Sequence, residues 1–236
     1  MNPSSPNLYT SYFTLHRNSH RAMDMLYNEA FDNASVTGDF GDPDSDDELD
    51  LAKHTADVLA GALFVMTDDL IQSLSKRIGG AMGAKLAVGP HLRGVHFSQI
   101  AWAAANNLRH HSEWQRDAVE CHDVDEIVAA EPDDVLLKKI RMDDVRFEKF
   151  DQGMVERRLR QLRSIRILNV ARDDYHAITG LVTFDVLQAM HECGISRPHE
   201  FCNAISASAN ELVRRKGPAY ADGFNRAREW DERRSE

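Results

Sequence analysis

The sequence predicts an all-α fold, a single bundle of about six helices with acidic loops and a charged C-terminal tail, on three observations. Apolar residues recur at three- and four-residue steps through nearly every periodic segment. Gly79-Gly80, Gly194 and Gly217-Pro218 stand where such segments stop, as helix terminators do. No set of alternating apolar and polar runs is present from which a sheet could be built. The expected domain is 1–216, with 217–236 as the charged, flexible tail.

The first helix is expected over Leu8–Ala34, with Leu15, Met23, Leu26 and Ala30 as its stripe and Tyr12, Tyr27 and Phe31 beside it. A loop should follow over Ser35–Asp50, which holds seven acidic residues and no basic one. Ser45-Asp-Asp-Glu48 has capping-box spacing and should open a long helix to about Arg77, striped by Leu59, Leu63, Met66, Leu70 and Leu74. The GGAMGAK sequence after Gly79 lacks the Gly-Lys-Ser/Thr ending of a phosphate loop and has no strand before it, so it reads as a helix stop and link. The helix carrying Ala101–Arg116 comes next and fades after Arg116. Asp117–Asp134, with eight acids and no Lys or Arg, reads as a loop with a short helix. From Lys138 to Arg172 the charge reverses, with eleven Lys or Arg against five acids. An amphipathic helix fits there, although Ser164–Val170 also fits a short strand. Helices at Leu181–Glu192 and His199–Lys216 complete the bundle, and Ala219–Glu236 reads as a frayed tail.

With 236 residues the chain can bury a sizeable core, and 42% hydrophobic with 28% charged residues is an ordinary globular composition. A net charge of −10 argues against a general nucleic-acid coat but leaves room for a local basic patch. Cys121, Cys193 and Cys202 form no CxxC pair, which suits a reduced, cytoplasmic protein. MNPSSPNLYTSYF has neither the basic nor the apolar region of a secretory signal. The longest apolar run, Val58–Met66, is too short to span a bilayer, so no membrane association is expected.

Chemistry concentrates in AWAAANNLRHHSEWQR. At about 100° per residue, Phe97, Ala101, Ala104 and Leu108 share one helix face. Trp102, Asn106, Arg109, His110 and Glu113 share the opposite one, with Gln99 beside them. A tryptophan among amide, guanidinium, imidazole and carboxylate groups suggests the lining of a cleft or interface rather than open surface. Residues three and four apart are neighbours, so Asn106, Arg109 or His110, and Glu113 can form a row that orients an imidazole and holds a phosphate. The same row could equally fix a helix–helix or dimer contact. Trp102 and Trp114 flank it, and a polar row that is costly to bury unpaired suits a two-fold contact, hence an expected homodimer.

The wording NNLRHHSEW, late in an Ala-rich helix of an all-helical chain, resembles HEPN-type domains. The resemblance covers at most Ser35–Arg172. It implies a helical, usually dimeric protein of a bacterial toxin–antitoxin or antiviral system, with an antitoxin or other protein partner. It also implies a metal-independent endoribonuclease with no cofactor. In that family an arginine, often followed by a polar residue, precedes a histidine by four to six residues near a helix end. Arg116-Asp117 and His122 meet that spacing, whereas Arg109 and His110 are adjacent. Arginine would bind the phosphate of the RNA substrate and stabilise phosphorane charge. His110 or His122 would move the proton of the 2′-hydroxyl.

Two further patterns compete. His91, His96, the His122-Asp123 pair and Asp185 resemble the ligand order of HD-type metal phosphohydrolases. No HExxH and no paired ExxH motif is present, and Ser or Cys nucleophile signatures are missing. In the basic segment, Val155, Leu159, Leu162, Ile165 and Leu168 alternate with Arg157, Arg158, Arg160, Arg163 and Arg166, the best candidate RNA-binding face. Its arginines could instead pair with the acidic loops. The leading expectation is therefore a HEPN-like protein of a toxin–antitoxin or antiviral system, a metal-independent endoribonuclease if it is catalytic, with Asn106, Arg109, His110, Glu113, Arg116 and His122 as candidate catalytic residues. Its alternatives are a non-catalytic helical adaptor and an HD-type phosphohydrolase.

Overall fold

A computed structural model describes residues 2–37, 43–80, 82–120, 152–172 and 180–235, with backbone alone at 43–44, 82, 84, 116–120, 152–158 and 235. Its helices are α1 (Thr10–Ala34), α2 (Pro43–Arg77), α3 (Met82–Lys85), α4 (Phe97–Glu120), α5 (Gln152–Arg172), α6 (Thr183–Glu192), α7 (Pro198–Lys216) and α8 (Pro218–Ser235). A 3₁₀ turn at Pro6–Leu8 precedes them, and β1 (His91–Leu92) pairs with β2 (Val95–His96) in a small antiparallel hairpin. The all-α expectation holds.

α2 forms the axis. It packs on α1, α4, α6 and α7, and Ala60, Leu63, Phe64, Leu70, Ile71 and Leu74 are buried along it. Ser45 does not open this helix, which already begins at Pro43, a residue whose fixed φ suits the first turn. By length and composition Ser45–Arg77 is apolar enough to cross a bilayer, a property that the run Val58–Met66 did not suggest. More than half of its most apolar window is buried inside the bundle, as the central helix of a packed core requires. The helix ends as its glycines predict: Gly79 takes φ +66, and the Gly80 N–H donates to Ser75 O at 2.8 Å.

α4 is the second central helix, touching α2, α5, α6 and α7. Its small residues allow close approach. Arg93, in the hairpin ahead of α4, donates to Ala171 O near the end of α5 at 2.8 Å. Asn106, further along α4, donates to Ser164 Oγ at 3.2 Å. The two contacts make α4 and α5 antiparallel. Ser164–Val170 belongs to α5, so the strand alternative is excluded, and α4 runs four residues past Arg116. Arg93 and Gly94, at φ 49 and 83, form the two-residue hairpin turn.

The N-terminus of α6 is capped from elsewhere. Its N-cap residue, Val182, has no side-chain oxygen to offer. Asp57 of α2 accepts the Phe184 N–H at 2.9 Å, and Asn107 of α4 accepts the Val182 N–H at 3.1 Å. Thr183 donates its hydroxyl to the Asp57 carbonyl.

The tail expectation fails. Residues 218–235 form α8, which packs on the 3₁₀ turn, α1 and α7. Phe224 is 2% exposed, with its ring 5.4 Å from Tyr9 and 4.7 Å from Phe13. Two apolar anchors, Phe224 and Ala227, suffice to bury one side of an otherwise charged helix.

Candidate functional site on helix α4

Ala101 to Asn107 are all buried, so α4 has no open face over this stretch. A helical wheel assumes one wet side, and a helix enclosed by four others has none. Trp102 and Trp114 are 6% and 4% exposed and belong to the core. Their burial removes the reason for expecting a self-complementary contact at this row. Asn106 is buried against Ser164 of α5, and the Ser164 hydroxyl donates in turn to Arg160 O at 2.8 Å. Asn107, which the sequence reading passed over, is fully buried and fixes the start of α6. These are packing roles.

Arg109 reaches back to α2. It donates to Asp68 Oδ2 at 2.9 Å and to Asp69 Oδ1 at 2.8 Å. Asp68 also accepts from Lys85 Nζ at 3.1 Å, and the Lys85 and Asp68 side chains are only 3% and 5% exposed. Two cations and two carboxylates thus balance within one network, as burial of charge demands. A phosphate approaching Arg109 would have to displace a carboxylate already in place. The only local signal for this is that Asp68 closely follows the apolar run Val58–Met66; it lies opposite the leucine stripe of α2, so the helical wheel does not mark it as buried. Lys85 lay in the glycine-rich link and carried no such signal.

His110 and Glu113 stand apart from that network. His110 Nδ1 lies 3.1 Å from Glu113 Oε2, and both side chains are partly exposed. A carboxylate on one ring nitrogen orients the imidazole and leaves the other for a proton or a ligand. The next residue, His111, points inward. Burial lowers its pKa, the neighbouring His54 adds to the effect, and its Nδ1 has no hydrogen-bond partner among the described residues.

The remaining candidates divide. The Arg116 side chain and His122 lie outside the described residues, as do the side chains of Arg157 and Arg158. Arg160 and Arg163 are exposed on α5, whose buried side is formed by Gln161, Ser164, Ile165 and Leu168. Since α4 and α5 run antiparallel through the Asn106–Ser164 contact, Arg160 and His110 each lie one turn from it on the same side.

The HD-type set gains nothing. The His91 and His96 rings meet at a tilt across the hairpin, 3.9 Å between centroids, and Asp185 pairs with Arg172 at 2.9 Å. Neither histidine belongs to a metal-competent cluster among the described residues, and His122-Asp123 lies outside them. The Cys202 thiol, pushed up to about 11 by burial, is no nucleophile. Comparison of the chain with family models, with curated proteins and with solved structures finds no match.

Proposed function

We propose that the chain is a HEPN-like helical module acting as a non-catalytic interaction protein in the toxin–antitoxin or antiviral setting that the resemblance implies. One observation carries this reading: Arg109 is held by both Asp68 and Asp69. The arginine of the NNLRHHSEW wording serves as a tie between α2 and α4. Trp102 and Asn106 of α4 are buried. What would be a phosphate-binding row in a ribonuclease is here mostly an internal joint.

The half-exposed His110–Glu113 pair favours one alternative, a metal-independent ribonuclease. In that case His110 would exchange the proton of the RNA 2′-hydroxyl, and Arg160 and Arg163 of α5 would meet the phosphate in place of Arg109.

One set of measurements separates the two. Purified full-length protein is incubated with mixed structured and single-stranded RNA, with and without EDTA, and Arg109→Ala and His110→Ala are unfolded in urea. The interaction reading expects intact RNA. It also expects a loss of about 1–3 kcal/mol in Arg109→Ala, from charged hydrogen bonds partly open to water, and little change in His110→Ala. Cleavage that survives EDTA and vanishes in His110→Ala would overturn it for the ribonuclease. Cleavage that EDTA abolishes would favour a metal phosphohydrolase.

A further inference from the structure

A second cluster lies away from α4, where α1 meets α7. Tyr12, His16, His20 and Asp24 follow one another at four-residue steps, so they line one face of α1. Cys202 of α7 is buried against that face. His20 Nδ1 is 3.5 Å from Asp24 Oδ2. One ligand atom from each of His20, Asp24 and Cys202 lies within 4.8 Å of the other two. Zinc bound tetrahedrally, at about 2.0–2.3 Å from its ligands, sets them roughly 3.3–3.8 Å apart. The His20 and Asp24 side chains are each 44% exposed and free to close that small difference by rotation.

His16 supplies an independent observation. Its ring stacks on Tyr12 at 5.8 Å and lies 6.0 Å from the His20 ring. Its Nε2 is buried with no hydrogen-bond partner among the described residues. An orphaned buried nitrogen calls for a group that the protein alone does not provide.

We propose that His20, Asp24 and Cys202 form a site for a borderline-soft divalent cation, zinc(II) above all, that ties α1 to α7. The donor set is one imidazole, one carboxylate and one thiolate, a combination that zinc accepts and that magnesium or calcium does not. Its two negative charges match the cation. Binding converts the Cys202 thiol to thiolate, and the proton leaves to solvent. Three protein ligands leave a fourth tetrahedral position to water, and such a water, one helical turn from His16, gives the orphaned nitrogen a partner. The site is independent of the reading of α4.

Cobalt(II) is the probe. Full-length protein, stripped with a chelator and kept reduced, is titrated with cobalt(II) and then with zinc(II). The expected spectrum has intense visible bands of a tetrahedral site and a near-ultraviolet thiolate-to-cobalt band, both bleached by zinc. Cys202→Ser should lose the thiolate band, while Cys193→Ser and Cys121→Ser should keep it. His20→Ala and Asp24→Asn alter half-exposed side chains and leave the core intact. Each should weaken cobalt binding by at least about tenfold, the lower end of what even outer partners of a metal contribute. Zinc should also raise the melting temperature of the wild type and not that of His20→Ala. A weak octahedral spectrum without the thiolate band would overturn the proposal. So would a thiolate band that survives in Cys202→Ser, or equal affinity in wild type and His20→Ala.

Discussion

Asp57 is a carboxylate buried between helices, and its donors come from the backbone and hydroxyl at the start of α6. Burial pushes its pKa up to about 6, with Asp185 adding to the rise, while the Phe184 N–H, Thr183 and Lys53 oppose it. The folded state therefore holds this proton more tightly than the unfolded chain does. The group's contribution is most favourable below the ordinary carboxylate value near 4 and is lost as pH rises through about 6. The change amounts to roughly 3 kcal/mol, about 1.4 kcal/mol for each of some two pKa units. Asp57→Asn keeps an oxygen for the Phe184 N–H but cannot ionise. Its stability relative to wild type should therefore improve by up to that amount between pH 4 and pH 7, as read by urea unfolding at several pH values. A pH-independent difference would show that Asp57 is already ionised throughout that range. Glu200, hydrogen-bonded to Ser196, and Glu211, to the Gly89 N–H and Arg215, are both lowered and act in the opposite sense. Only the comparison of variant with wild type isolates Asp57.

Between α2 and α4 the Gly61 backbone lies against Leu108, where an added Cβ would sit 2.8–3.0 Å from Cδ2, Cβ and Cγ of Leu108. On an exposed helix, Gly→Ala gains up to about 1 kcal/mol from propensity. Here the Leu108 Cβ cannot rotate away, so the helices must separate, and overpacking of this kind costs about 1–3 kcal/mol. Gly61→Ala should therefore lower the unfolding midpoint in denaturant, and combining it with Leu108→Gly, which removes the clashing Cβ, should cost less than the sum of the two single changes. The same two helices show what the sequence makes legible. The existence of α2 follows from its leucine spacing and its end from Gly79-Gly80, and α4 follows from its alanine-rich helical periodicity, because these signals are local. The face that Asn106 and Trp102 present is not local, because it depends on α5 covering the side that a wheel leaves to solvent. The Arg109 tie needed Asp68, forty-one residues earlier, and the hairpin's two-residue strands are too short to show alternation.

At the scale of the whole molecule, the two ends of the chain close on each other. The Tyr9 hydroxyl donates to Pro3 O at 3.1 Å, Arg226 donates to Ser4 O at 2.6 Å, and Arg17 pairs with Asp231 at 2.8 Å. Gly223 lies against the Pro3 carbonyl, where no side chain would fit. Phe224 then fills the centre of a ring cluster with Tyr9, Tyr12 and Phe13. The sequence hid this closure because its apolar anchors are few among charges, and such a segment has a tail's composition. The difference is measurable. A flexible tail contributes nothing to unfolding, so removing 218–236 would leave the melting temperature and denaturant slope unchanged. An integral α8 predicts the reverse: truncation exposes Tyr9, Tyr12 and Phe13, and stability falls in a single cooperative transition. Phe224→Ala separates the anchor from the helix around it and should cost about 3–5 kcal/mol, as large-to-small changes in a ring cluster do. Trp230→Ala, at an exposed ring beneath Arg234, should cost no more than about 1 kcal/mol. Equal effects of the two substitutions would mean that α8 is held by its surface charges rather than by Phe224.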